Sequence, residues 1–188
     1  MDLRTWITSD LASLRNRLDN GVFSLIPADR MADRVDGGGV TPVYVAWHTA
    51  RHQDLAVNGV LRGCEEVLGS WADRVGLEGD TWRGLAEGED LDLVPRLDPE
   101  AVAGYLLAVC DATIAWLAEA DLGVLDGVPD SAAALSTIDT PEDRFGWLYS
   151  MWEGKPGHFF LSWEAVGHGF NHLGELITLR NRLGFSRF

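Results

Sequence analysis

The chain has 188 residues, enough for one domain with a core of its own, and 46% of them are apolar. Its formal charge of −14 repels phosphate backbones and no basic block offsets it, so nucleic acid is excluded as the expected partner. There is no run of about 18 apolar residues to cross a membrane, MDLRTWITSD lacks the apolar centre of a signal peptide, and Cys64 and Cys110 have no CxxC or Cys/His spacing, which predicts a reducing, cytoplasmic setting with both thiols as small buried groups.

The first predicted element is a helix over residues 3–20. Leu3, Ile7, Leu11, Leu14 and Leu18 recur at three- and four-residue steps and form one apolar stripe, which Asn20-Gly21 ends. Gly37-Gly38-Gly39 is punctuation in the loop that follows. No strand precedes it and no GK[ST] closes it, so it is not a phosphate loop. Thr41-Pro42 opens a second helix, with Thr41 as cap and Pro42 in the first helical position. That helix is expected to reach about Arg62, with residues 64–74 as a helical continuation. Residues 76–97 show no period and read as a long loop.

Asp98-Pro99 starts a third helix to about Ala120, with Val102, Leu106, Val109, Ile114 and Leu117 on its apolar face. Residues 121–139 are irregular, with room for one short helix. Thr140-Pro141 begins a short helix through Trp152, and Gly154-Lys155-Pro156-Gly157 breaks it. The last helix covers about 158–183 and ends at Gly184, a residue suited to the position after a helix. Arg180, Arg182 and Arg187 are expected to complement its C-terminal dipole. No segment alternates as a strand would. The fold class predicted is all-α: an antiparallel four-helix bundle over residues 1–188, one domain, with long connecting loops and short extra helices.

The chemistry is concentrated in histidine. Four of the five histidines form two i,i+4 pairs, His48/His52 in WHTARH and His168/His172 in GHGFNH. Residues four apart lie on one helical face, so each pair can chelate one ion, with a further ligand from a facing helix. The row holding His168 and His172 also holds Leu161, Ala165, Leu176 and Leu179 and so faces inward. His48 and His52 share a mixed face with Val45 and Leu55, as a pocket rim would. Inward histidines need partners, which either a metal ion or hydrogen-bonding neighbours can supply. Trp47, Trp163 and Phe170 adjoin the pairs and are candidate pocket walls. HExxH is absent, so zinc-peptidase chemistry has no support.

The segments PVYVAWHTARHQDLAVNGVLRG and GHGFNHLGELITLRNRLG resemble the DinB-like superfamily, which includes the metal-binding domain of mycothiol-dependent maleylpyruvate isomerase. The family pattern places one histidine on the second bundle helix and H-x3-H, then x-G-Q/E and an Arg-containing tail, on the last. Here those positions are His48, His168, His172, Gly174, Glu175, Arg180 and Gly184. The resemblance implies a four-helix bundle, often dimeric, with His48, His168 and His172 as ligands of one divalent metal ion.

Zinc ranks first and nickel second, since imidazole suits both. Members with known activities use a small thiol for isomerisation or S-transfer. The implied partners are therefore a small molecule or a low-molecular-weight thiol such as mycothiol, and a second copy of the chain. His52 is additional to the pattern and is open to three roles: fourth ligand, general base or solvated neighbour. Glu175 stands where relatives carry Gln and is a candidate to orient a ligand histidine, as is Glu164 one turn before His168. Enzyme and metal- or ligand-binding protein both remain open as readings of function.

Overall fold

Helix starts follow the side chains that can accept a bond from a free amide. The structure, a computed structural model, describes residues 2–86 and 92–187. Asp2 accepts from the Thr5 amide and starts α1 (Leu3–Leu18). Thr41 accepts from the Tyr44 amide and starts α2 (Pro42–Gln53), with Pro42 at its head. Asp98 caps α3 (Pro99–Glu119) through the Ala101 amide, and Asp130 caps α4 (Ser131–Thr137) through that of Ala133. The remaining helices are α5 (Glu142–Trp152), α6 (Gly157–Phe159) and α7 (His168–Arg182).

The architecture is all-helical, and no strand occurs among the described residues. α2 packs against α3 and α7, and α1 packs against the same two helices. α4 lies on α5 and on the segment that follows α2. Two helices depart from α geometry next to the histidines. α2 runs without a break into a π-helical stretch, Asp54–Leu61, and a second one, Phe160–Gly167, joins α6 to α7. The single last helix expected over 158–183 is thus three consecutive segments. Such i→i+5 stretches are uncommon and recur at functional sites.

Other expectations need correction. Residues 64–74 do not continue the second helix. Gly63 adopts φ +58 and turns the chain, leaving a 3₁₀ turn at Val67–Ser70. Cys64 is half-buried rather than buried. α3, at 21 residues, is long and apolar enough by composition to span a membrane, contrary to the expectation of none; it packs on α1 and α2, burying Val102, Tyr105, Leu106, Val109 and Leu117. Arg180 is buried and donates to the Gly21 carbonyl, so it ties the last helix to the end of the first rather than serving the helix dipole alone. Residues 87–91 of the predicted long loop lie outside the described residues.

The mixed face expected of the second helix lines a pocket through His48 and His52, yet no residue of α2 is exposed. All twelve residues of α2 are buried. The polar ones are therefore met from inside the protein. Arg51 donates to Glu66 and, at 3.3 Å, to the Tyr105 hydroxyl. Its guanidinium lies 5.9 Å from the Trp47 ring centre and 5.7 Å from that of Trp82. Gln53 donates to Thr113 Oγ1 at 3.0 Å. Just beyond α2, the fully buried Asp54 accepts from the amides of Val67 (3.0 Å) and Leu68 (2.9 Å), from the Tyr105 hydroxyl (2.7 Å) and from Asn58 Nδ2 (2.6 Å).

Asp54→Ala leaves buried donors without an acceptor and is expected to lower folding stability by about 3 kcal/mol or more. Asp54→Asn, which keeps one acceptor oxygen, should cost less. Urea midpoints of the two variants check the order.

Candidate metal centre

α2 and α7 face each other, and their i,i+4 spacing brings four imidazoles into one cluster. The ring centres of His48 lie 4.6 Å from His52, 5.1 Å from His168 and 4.9 Å from His172. Those of His168 lie 4.7 Å from His52 and 4.4 Å from His172. His48, His52 and His168 each offer a ligand atom within 4.8 Å of the others and could hold a divalent ion. The Nε2 atoms of His168 and His172 are 3.0 Å apart. With metal–nitrogen bonds of about 2.0–2.1 Å, that separation subtends an angle of about 91–97°, within reach of a single ion.

Protonation follows from burial. Burial, then the proximity of His52 and His172, pushes His48 down from 6.5 to about 3. Burial, then His52, His172 and His48, pushes His168 down to about 2. Both rings are neutral at neutral pH and each carries a lone pair. A carbonyl oxygen can only accept, so His48 Nδ1–H donates to Gly84 O at 3.0 Å. The lone pair of His48 is then on Nε2, which is buried and has no partner. His172 Nδ1 lies 2.9 Å from Glu175 Oε2, and donation to that carboxylate leaves the lone pair of His172 on Nε2 as well. His168 Nδ1 is also buried without a partner. His48 Nε2, buried with nothing to bond, costs free energy that a cation there would recover. The donor set therefore fits a divalent metal ion.

His52 differs from the other three. Its Nε2–H donates to Leu85 O at 2.8 Å, and its Nδ1 faces Glu164 Oε2 at 3.4 Å. Glu164 is buried and also accepts from Trp152 Nε1 at 2.8 Å. Both nitrogens of His52 are thus engaged.

Sequence reasoning missed the segment that orients the cluster. Four consecutive carbonyls, of Arg83, Gly84, Leu85 and Ala86, accept from Trp47 Nε1, His48 Nδ1, His52 Nε2 and the Tyr44 hydroxyl. Gly84 makes the contact possible. It adopts φ +72, and a Cβ there would meet Trp47 at 2.7 Å. The four donors all lie on one face of α2, and that spacing was the one available signal. Gly169, between the α7 histidines, has a similar role, because a Cβ there would lie 2.5 Å from Leu14 Cδ2 on α1.

Of the aromatic candidates, Trp163 lines the pocket above the cluster, beside Trp147 and Met151, which the sequence did not single out. Trp47 and Phe170 instead pack with the core. Cys110 is buried and its thiol is pushed up to about 12 by that burial, so it is no nucleophile.

No known protein-family model matches the chain, and no curated protein matches it. A solved structure that does match is that of a conserved protein from Enterococcus faecalis, with a TM-score of 0.66 and 15% identity, covering 97% of each chain. The likeness shows a shared fold over nearly the whole length.

Below about pH 6.5 the unfolded chain binds protons that folded His48 and His168 do not accept. The stability of the metal-free protein should therefore be full above that pH and fall as pH drops toward 3. Urea midpoints between pH 5 and 7, above the main carboxylate range, should show the slope, and His48→Phe should flatten it. A level profile in the parent protein would contradict the protonation states assigned here.

Proposed function

We propose that the chain is a divalent-metal-binding protein of the DinB-like type, one four-helix bundle domain built on α1, α2, α3 and α7, and that it is an enzyme acting with a small thiol or with activated water. His48, His168 and His172 are the ligands, each through Nε2. The observation that carries this reading is the buried, unpartnered Nε2 of His48, set against the close Nε2 pair of His168 and His172. The hydrogen bonds favour this set over one with His52, because His48 and His172 give their other nitrogen to an orienting acceptor while both nitrogens of His52 are engaged. Zinc is the first ion to test and nickel the second, since three imidazoles suit either.

When bound, the ion supplies Lewis acidity that makes a thiol or water more acidic at an uncharged donor set. The chain's own residues do the rest. Gly84 O and Glu175 hold the rings of His48 and His172 in place. His52 Nδ1 and Glu164 Oε2, 3.4 Å apart, can hold a proton between them beside the cluster. Cys110 is inert and Cys64 does not line the pocket over the histidines, so the thiol comes from the ligand, and mycothiol is the first to try.

Elemental analysis of purified protein should find about one divalent ion per chain. His48→Ala and His172→Ala should each lose it, and Glu175→Gln should weaken binding by about 10- to 100-fold. Full metal content in either histidine variant sinks the assignment. Metal-dependent loss of a small thiol in the presence of an electrophile, abolished in His168→Ala, would establish turnover.

A further inference from the structure

The space over the histidines differs in chemistry from the histidines themselves. It has a volume of about 320 Å³, and His48, His52 and His168 form one side of it. The rest of its lining is Leu85, Ala86, Trp147, Met151 and Trp163, with Glu164. Among the described residues no lysine or arginine lines it, and its one acid, Glu164, is already tied to Trp152. A polyhydroxylated or sugar-like group would find almost no donors or acceptors there, and each unmatched hydroxyl would lose its bonds to water.

The two indoles are placed to receive something. Trp147 and Trp163 remain 40% and 44% exposed although they flank a buried cluster. Trp147 sits 6.0 Å from the His52 ring at a tilt of 33°, so its place at the cluster is anchored. Trp163 has room because residue 167 is glycine; a Cβ there would stand 3.3 Å from its Cε3. A small pocket with mostly apolar walls and a few convergent polar groups is the usual form of a small-molecule site. An apolar cavity of about 150 Å³ already accepts benzene, so this one can hold a single substituted ring.

We propose that this pocket takes a substrate with one uncharged aromatic ring, packed on the indoles of Trp147 and Trp163, with the substrate's single polar donor directed at the histidines. It selects against sugar-like and cationic groups. The assignment of the reacting end rests on the metal-site reading above; the apolar seat is formed by the chain alone.

The test uses benzyl alcohol as the matching probe, with benzylamine and glucosamine as the cationic and sugar-like comparisons. Each is titrated into the full chain, metal-free and zinc-loaded, and followed by saturation-transfer NMR and indole fluorescence. Circular dichroism confirms that every sample is folded. Benzyl alcohol should bind saturably to both forms, and more tightly than either comparison probe. Trp163→Ala should weaken it by about tenfold, as loss of one aromatic contact implies, and Trp6→Ala, at another exposed indole, should leave it unchanged. Equal binding of glucosamine, no saturable binding of benzyl alcohol, or undiminished binding in a Trp147→Ala/Trp163→Ala double variant would each overturn the inference. Benzyl alcohol binding to a protein that takes up no zinc would sink the metal reading and leave the seat standing. Zinc uptake without benzyl alcohol binding would do the reverse.

Discussion

Burying α2 on every side is the constraint to which the rest of the structure answers. A helix that is surrounded by protein is ordinarily apolar all round. This one carries His48, Arg51, His52 and Gln53, with Asp54 directly after it, and all of them are buried. Each brings polar atoms that lose water on folding, and each unmatched atom costs on the order of 1–3 kcal/mol. The neighbouring elements supply the partners: Glu66 and Tyr105 for Arg51, Thr113 for Gln53, and the 83–86 carbonyls for the histidines. The buried nitrogens of His48 and His168 that remain unmatched lie where the two histidine pairs meet. The histidine cluster is thus one place where protein groups leave that polar core incomplete, Arg51 Nε being another.

The loop at 83–86 links fold to chemistry. Its carbonyls select the tautomer of His48 and occupy Nε2 of His52, so two histidines on one helical face receive different roles from consecutive residues of one segment. Glu175 acts in the same way on His172 from within α7. Ring orientation is thus decided by backbone oxygens and one carboxylate rather than by the helices that carry the rings. The π-helical stretches on either side lie in the same two helices, where the backbone departs from regular spacing while Leu161, Ala165, His172 and Leu176 stay buried.

The pocket above divides the chemistry by position. Three histidines and Glu164 supply its polar lining, and Trp147, Met151, Trp163 and Leu85 supply its apolar lining. At 15% identity to its structural match, the chain shares a fold whose site chemistry has to be argued from its own residues.

Local features of the sequence determined where the helices start and which faces turn inward. Asp2, Thr41 and Asp98 bond to amides three residues on, and the 3.6-residue period places Leu161, Ala165, His172, Leu176 and Leu179 on one row. Both histidine pairs were visible for the same reason, since i,i+4 contact is a property of a single helix. What only the tertiary structure decided involves residues far apart in the chain. These are the burial of α2 from all sides, the turn at Gly63 that ends the second helix, the reach of residues 83–86 back to Tyr44, Trp47, His48 and His52, and the pairing of His52 with Glu164 across 112 positions. A backbone carbonyl has no signature in the sequence, so its choice of a partner more than thirty residues away is made by packing. That choice leaves Nε2 unpartnered on His48 and bonded on His52, its neighbour one turn along.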